Sequence, residues 1–133
     1  MDVFPFATSL QIFSLVFLAI LFIQSGLDKV FNYKGNLDWL KEHFAKSPLS
    51  GSVGLLMPVI TILEVAAGVL CLIGLVILLI NGSTFIAVIG VQLSALSILA
   101  LFFGQRVAQD YEGAGNLVPY FLVCIVSLYL MMY

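Results

Sequence analysis

Four stretches of the chain are apolar for long enough to cross a membrane, and the polar positions gather between them. A hydrocarbon core about 30 Å thick takes roughly 20 helical residues. The runs at residues 7–31, 53–80, 84–103 and 117–133 reach or approach that length. They are continuous rather than alternating, which predicts helices and argues against transmembrane β-strands. Span one has one polar residue, Ser14, between Ile12 and Ile23, then turns polar at Gln24, Ser25, Asp28 and Lys29. Gln24 and Asp28 share a helix face at i,i+4, and Ser25 and Lys29 line the neighbouring stripe. Between spans one and two, residues 36–46 read as a short amphipathic helix on the membrane surface, with Leu37, Leu40 and Phe44 as its apolar stripe. Asn36 is its expected N-cap, Glu42 and Lys46 its expected i,i+4 pair, and Ser47-Pro48 its stop. Trp39 and Tyr33 suit the headgroup level.

Span two carries Pro58 near its start, and then Ala67, Gly68, Cys71 and Gly74, small residues that let a second helix come close. Asn81-Gly82 turns the chain. In span three, Ser83, Ala87, Gly90, Ser94 and Ser97 recur at alternating spacings of four and three, the seam of a tight helix contact. Gln92 lies off that seam and is expected to hydrogen-bond a neighbouring helix, with a ligand contact as the alternative. Residues 104–116 form the expected third loop, with Arg106, Asp110 and Glu112. Span four has Pro119 in its first turn and Tyr129 and Tyr133 as interface anchors.

Composition fixes the solvent. Of 133 residues, 62% are hydrophobic and 9% charged, where a soluble domain would carry about a quarter charged. The mean hydropathy is +1.19. The expected fold is one all-α domain, an integral membrane four-helix bundle with a short amphipathic surface helix after the first span. Residues 1–5 lack the positive segment of a signal peptide, and the apolar run after them is too long for one, so span one is expected to be retained. Every Lys and Arg (Lys29, Lys34, Lys41, Lys46 and Arg106) lies in or beside loops one and three, which places those loops in the cytoplasm by the positive-inside rule.

Several chemistries fall away. The net charge of −2 and the absence of a basic run give no nucleic-acid partner. One histidine without ligand spacing gives no metal site. Cys71 and Cys124 read as small buried hydrophobes at different depths, roughly 10 Å or more apart on helical rise, too far for a disulfide. No nucleophile–base set or phosphate loop is present. The chain holds no intrinsic cofactor, so redox chemistry would need a bound quinone or another subunit.

What remains is Glu64, an acid well inside span two. Placing a carboxylate at the centre of a membrane helix costs about 2.5–3.5 kcal/mol on insertion scales, so something must compensate it. Span one runs toward loop one and span two away from it. Side chains tilt toward their own helix N-terminus, so Lys29 leans into the membrane and Glu64 leans out toward it. Two readings stand: an internal staple between two helices, or a polar pocket open to the loop-one side for a small ligand or a proton. Gln24 and Asp28 would line that pocket, Asp28 otherwise being a solvated helix-end acid. His43 and Arg106 would stand at its mouth, one exchanging protons, the other meeting headgroups or an anionic substrate.

Gly26-Leu27-Asp28-Lys29-Val30-Phe31 resembles the glycine–lysine–phenylalanine signature that ends span one in the DoxX-like membrane proteins. Leu63-Glu64-Val65-Ala66-Ala67-Gly68-Val69-Leu70, with Gly74 beyond, is similar to the glutamate–glycine segment of that family's second span. His43-Phe44 before Ser47-Pro48 fits its first loop. The resemblance implies a four-helix protein of the bacterial inner membrane. Some members are described as subunits of thiosulfate:quinone oxidoreductase or of membrane redox complexes that handle thiol stress. It therefore implies a small accessory subunit of a quinone- or sulfur-linked system, partnered by the bilayer and by other membrane or peripheral subunits. The competing reading is a non-catalytic assembly, chaperone or scaffolding subunit; a small-solute carrier is a third.

Overall fold

The computed structural model describes residues 6–132; the segment ahead of span one and the anchor Tyr133 lie outside them. Among the described residues the chain forms six α-helices and no strand: α1 (Phe6–Phe31), α2 (Tyr33–His43), α3 (Val53–Asn81), α4 (Phe85–Val107), α5 (Tyr111–Asn116) and α6 (Val118–Leu130), with a 3-10 turn at Ser50–Ser52 before α3. Four stretches are long and apolar enough to span a bilayer: Thr8–Phe31, Ser50–Asn81, Phe85–Val107 and Tyr111–Leu130. The protein is an all-α integral membrane bundle.

Helix α3 is the central element. It packs along α1 on one side and α4 on the other, while α6 closes the bundle against α4 and α1. Lipid is as apolar as leucine, so small residues and close packing must bring membrane helices together. The α3–α4 seam does this. Ala87, Ser94 and Ser97 are fully buried. A Cβ on Gly74 would lie 2.5 Å from the Ala87 Cα, and one on Gly90 would lie 2.7 Å from the Cys71 nitrogen. The Ser94 hydroxyl donates to the Gly90 carbonyl at 2.8 Å and so stays satisfied in the dry interior. Ser83, the first residue of the expected seam, instead sits exposed in the turn before α4.

Both boundaries of α2 differ from the sequence expectation. Helix α2 starts at Tyr33, with Asn32 rather than Asn36 as the N-cap residue. Asn36 lies one turn inside, and its side-chain amide donates back to the Asn32 carbonyl at 2.9 Å. The chain almost continues α1, since the Asn32 N–H still bonds the Asp28 carbonyl at 2.9 Å. Helix α2 also ends at His43, so the Glu42–Lys46 pair loses its helical spacing; both side chains are exposed and no ion pair joins them. Its stripe of Leu37, Leu40 and Phe44 is half-buried, as in a helix laid over the bundle end.

The third loop is mostly helix. Helix α4 runs on to Val107, and a left-handed residue, Gln109 (φ 62°), turns the chain at the end of the bundle. Asp110 then caps α5, its Oδ1 accepting from the Gly113 N–H at 2.9 Å. Pro119 has no N–H for the carbonyl one turn back, and the break between α5 and α6 falls at Leu117. Starting the fourth span at Tyr111 rather than Leu117 sets Cys124 about 9 Å deeper. Cys71 and Cys124 are both free and fully buried in one core. The depth gap expected from sequence is correspondingly smaller. Pro58 does not interrupt α3. The carbonyl it leaves unpaired belongs to Gly54, in the exposed first turn.

Candidate functional site

Glu64 faces inward from the middle of α3 and is 1% exposed. Its Oε2 accepts two hydrogen bonds from α1: Ser25 Oγ at 2.5 Å and Lys29 Nζ at 3.0 Å. Lys29 also donates to Ser25 Oγ at 2.9 Å, so the three groups close a triangle. The geometry follows from periodicity. Ser25 and Lys29 are four apart on α1, and both face α3. The opposed chain directions let the Lys29 stem lean inward to the acid. Lys29 keeps 17% exposure, so the triangle runs from the dry core toward the loop-one surface.

Glycines set how close the two helices come. A Cβ on Gly26 would lie 2.7 Å from Val65 Cγ2, and one on Gly68 would lie 2.7 Å from the Ile23 backbone nitrogen. The α1–α3 crossing is thus close just to the core side of the ion pair. The other carboxylate oxygen, Glu64 Oε1, has no partner. It is the only buried side-chain polar atom so placed among the described residues. An unmatched buried acceptor is costly, and where it persists it marks a place for a donor.

The other candidates divide. Gln24 is exposed and makes no hydrogen bond; Asp28 is exposed and meets only Asn36, at 3.4 Å. Neither touches Glu64. His43 stacks on Trp39 with centroids 4.6 Å apart, and its Nε2 faces Gln105 Oε1 at 2.9 Å and Asp110 Oδ2 at 3.3 Å. Both neighbours are oxygen acceptors, so Nε2 carries the proton and donates. Arg106 is exposed, with its guanidinium 4.5 Å over the Tyr111 ring. His43 and Arg106 therefore stand at the loop-one end as two separate contacts, apart from the triangle.

Sequence reasoning did not give Ser25 a role at the acid, nor Gln105 and Asp110 one at His43. The Ser25–Lys29 spacing was a usable signal for the first. Asp110 serves two partners at once, since Oδ1 caps α5 while Oδ2 faces His43. The His43 contacts latch α2 to the α4–α5 turn. Exchange of His43 for Ala is expected to raise amide hydrogen exchange across α2 several-fold. Global stability should fall by only about 1 kcal/mol, the usual net worth of such a bond. Unchanged α2 protection would contradict the latch.

None of four well-formed cavities is lined by Glu64. One of about 220 Å³ lies under α2 between α3 and α4, and its lining, including Leu40, Phe44, Ile60 and Leu63, is wholly apolar. Another of about 400 Å³ lies at the loop-one face beside His43 and Lys46. Among the described residues no cluster of three or more His, Cys, Asp or Glu side chains is placed to hold a metal.

A protein-family model described as DoxX matches residues 15–97. The match covers more than half of the chain and includes Ser25, Lys29 and Glu64. No curated protein and no solved structure matches.

Proposed function

The chain belongs to the DoxX family, and from that premise we propose that it is a small accessory subunit of a membrane redox system in which Glu64 takes up and releases a proton. The observation that carries this is the unpartnered Oε1 of a carboxylate whose Oε2 is already held by Ser25 and Lys29. The donors are aligned for transfer: Lys29 N–H points to the Ser25 oxygen, and Ser25 O–H points to Oε2. If the Lys29 proton moves to Ser25 while the Ser25 proton moves to Oε2, the result is a neutral amine and a neutral acid. No charge is left unpaired in the core. Oε1 is then the buried acceptor left for a donor that local opening of the α1–α3 crossing would admit.

A quinone was the candidate cofactor. The apolar cavity under α2 would accept hydrocarbon, but its lining has no group to bond a quinone carbonyl. On this reading the chain handles the proton, and electron transfer is carried by a bound quinone or by partner subunits. The remaining placement rests on charge. All five cations lie at the loop-one and loop-three end, which supports a bacterial inner-membrane protein with that end in the cytoplasm.

A second reading, an assembly or scaffolding subunit, is favoured by one observation: close glycine contacts join α1 and α3 beside the ion pair, and none of the four cavities is lined by Glu64. Glu64→Gln separates the two. On the proton reading, the variant inserts and assembles normally, while thiol- or quinone-linked electron transfer in membranes falls about 100-fold or more. Its pH-difference infrared spectrum also loses a carboxylic-acid band. Loss of assembly without those changes supports the scaffold, and full activity in Glu64→Gln removes the proton role.

A further inference from the structure

Gln92 is a polar side chain in the wrong solvent. It lies seven residues into α4, about 10 Å along the helix, and so within the hydrocarbon layer. It is exposed, and among the described residues no hydrogen bond reaches its side chain. The helix bond expected from sequence is not made among the described residues. A carboxamide in lipid without a partner costs several kcal/mol, and its stem is too short to reach the headgroups.

The surroundings of Gln92 form a pattern. Phe85, Gln92, Leu96, Leu99 and Phe103 all face outward, and Ile89 is half-buried between the first two. With Ile89 the spacings run four, three, four, three, four, the heptad seam of a helix–helix contact. It lies on the side of α4 away from the small residues that meet α3. A shallow groove of about 310 Å³ between α4 and α6 opens beside Gln92. Beyond Phe103 the seam ends at Arg106, drawn over Tyr111 at the membrane boundary.

We infer that the outward seam of α4 is the interface with a second copy of this chain, and that Gln92 pairs with its own counterpart across a two-fold axis. The occupant follows from the chemistry and the symmetry. A carboxamide carries both a donor and an acceptor, so two of them are mutually complementary. Copies inserted with one orientation can be related only by an axis along the membrane normal. That axis places each seam residue opposite itself at equal depth. One polar residue in an otherwise apolar seam also fixes register and partner number.

Oxidative cross-linking in native membranes tests this, with Leu96→Cys and Leu99→Cys on the seam and Ile62→Cys on the exposed face of α3 as control. The native cysteines are fully buried, so the unsubstituted chain supplies the background. Disulfide-linked dimers are expected from the two seam variants and not from the control. Gln92→Leu should weaken association about tenfold or more by analytical ultracentrifugation in detergent, while Gln92→Asn keeps most of it. Both substitutions face away from the bundle, so helicity should be unchanged. Absence of seam cross-links, equal cross-linking at Ile62, a product containing a different polypeptide, or unaltered association of Gln92→Leu would each overturn the inference.

Discussion

Lys29→Met should lower the stability of the bundle by about 3–5 kcal/mol, the usual cost of stranding one member of a buried pair. The substitution leaves a carboxylate that is 1% exposed with Ser25 as its one remaining donor. Glu64→Gln should cost clearly less. It strands a cation rather than an anion, and Lys29, at 17% exposure, can swing its ammonium toward the loop-one surface. The asymmetry is specific to this geometry, in which one partner is sealed and the other borders water. Steric trapping in bicelles would give both values. Equal losses, or a larger loss in Glu64→Gln, would mean that Lys29 is not what keeps the acid in the core.

Gly74→Leu is expected to cost about 3 kcal/mol or more, and Gly74→Ala about 1–3 kcal/mol. The atoms a new Cβ would meet are the Ala87 Cα at 2.5 Å and the Ala87 nitrogen at 2.6 Å. Both are backbone and cannot rotate away, so α3 and α4 must separate along the seam that holds the bundle centre. Gly54→Ala is the control, because a Cβ there meets nothing within 4 Å and alanine favours the helix. The same unfolding assay should show Gly74→Ala destabilised and Gly54→Ala neutral or slightly stabilised. A neutral Gly74→Ala would show that the two helices have room to spare.

Much of this architecture could be read from the residues. Long continuous apolar runs fix four spans because bilayer thickness fixes helix length. The seam from Ala87 to Ser97 was visible because a period of three and four puts small residues on one stripe. The Glu64–Lys29 pair was legible because burying a charge demands a partner, and lean and direction left few options. Other features depended on competitions that sequence does not display. Asn36 looked like a cap, but α1 carries its hydrogen-bond ladder almost unbroken through Asn32, so the next helix begins a turn earlier. Residues 104–116, with Arg106, Asp110 and Glu112, read as a loop between apolar runs, while the Asp110 cap was sufficient to form a helical turn. The side of α4 that Gln92 occupies follows from the angular position of the seam. That it has no partner among the described residues required every neighbouring helix to be placed.

The separation of Gln24 and Asp28 from the acid has a similar origin. Four-residue spacing says which residues share a face, but not which face meets α3. Ser25 and Lys29 took that position, and the two more polar neighbours were turned outward. The site consequently consists of Glu64, Lys29 and Ser25, with one free acceptor at Glu64 Oε1.

The most direct test is a double-mutant cycle between Lys29 and Glu64, with the stabilities of the wild type, Lys29→Met, Glu64→Gln and the double variant measured in one lipid environment. Contact at 3.0 Å in a dry crossing should give a coupling of about 1–3 kcal/mol, with the double variant more stable than Lys29→Met alone. Additive losses with coupling near zero would contradict it, because the acid would then be held in the membrane by something other than this lysine.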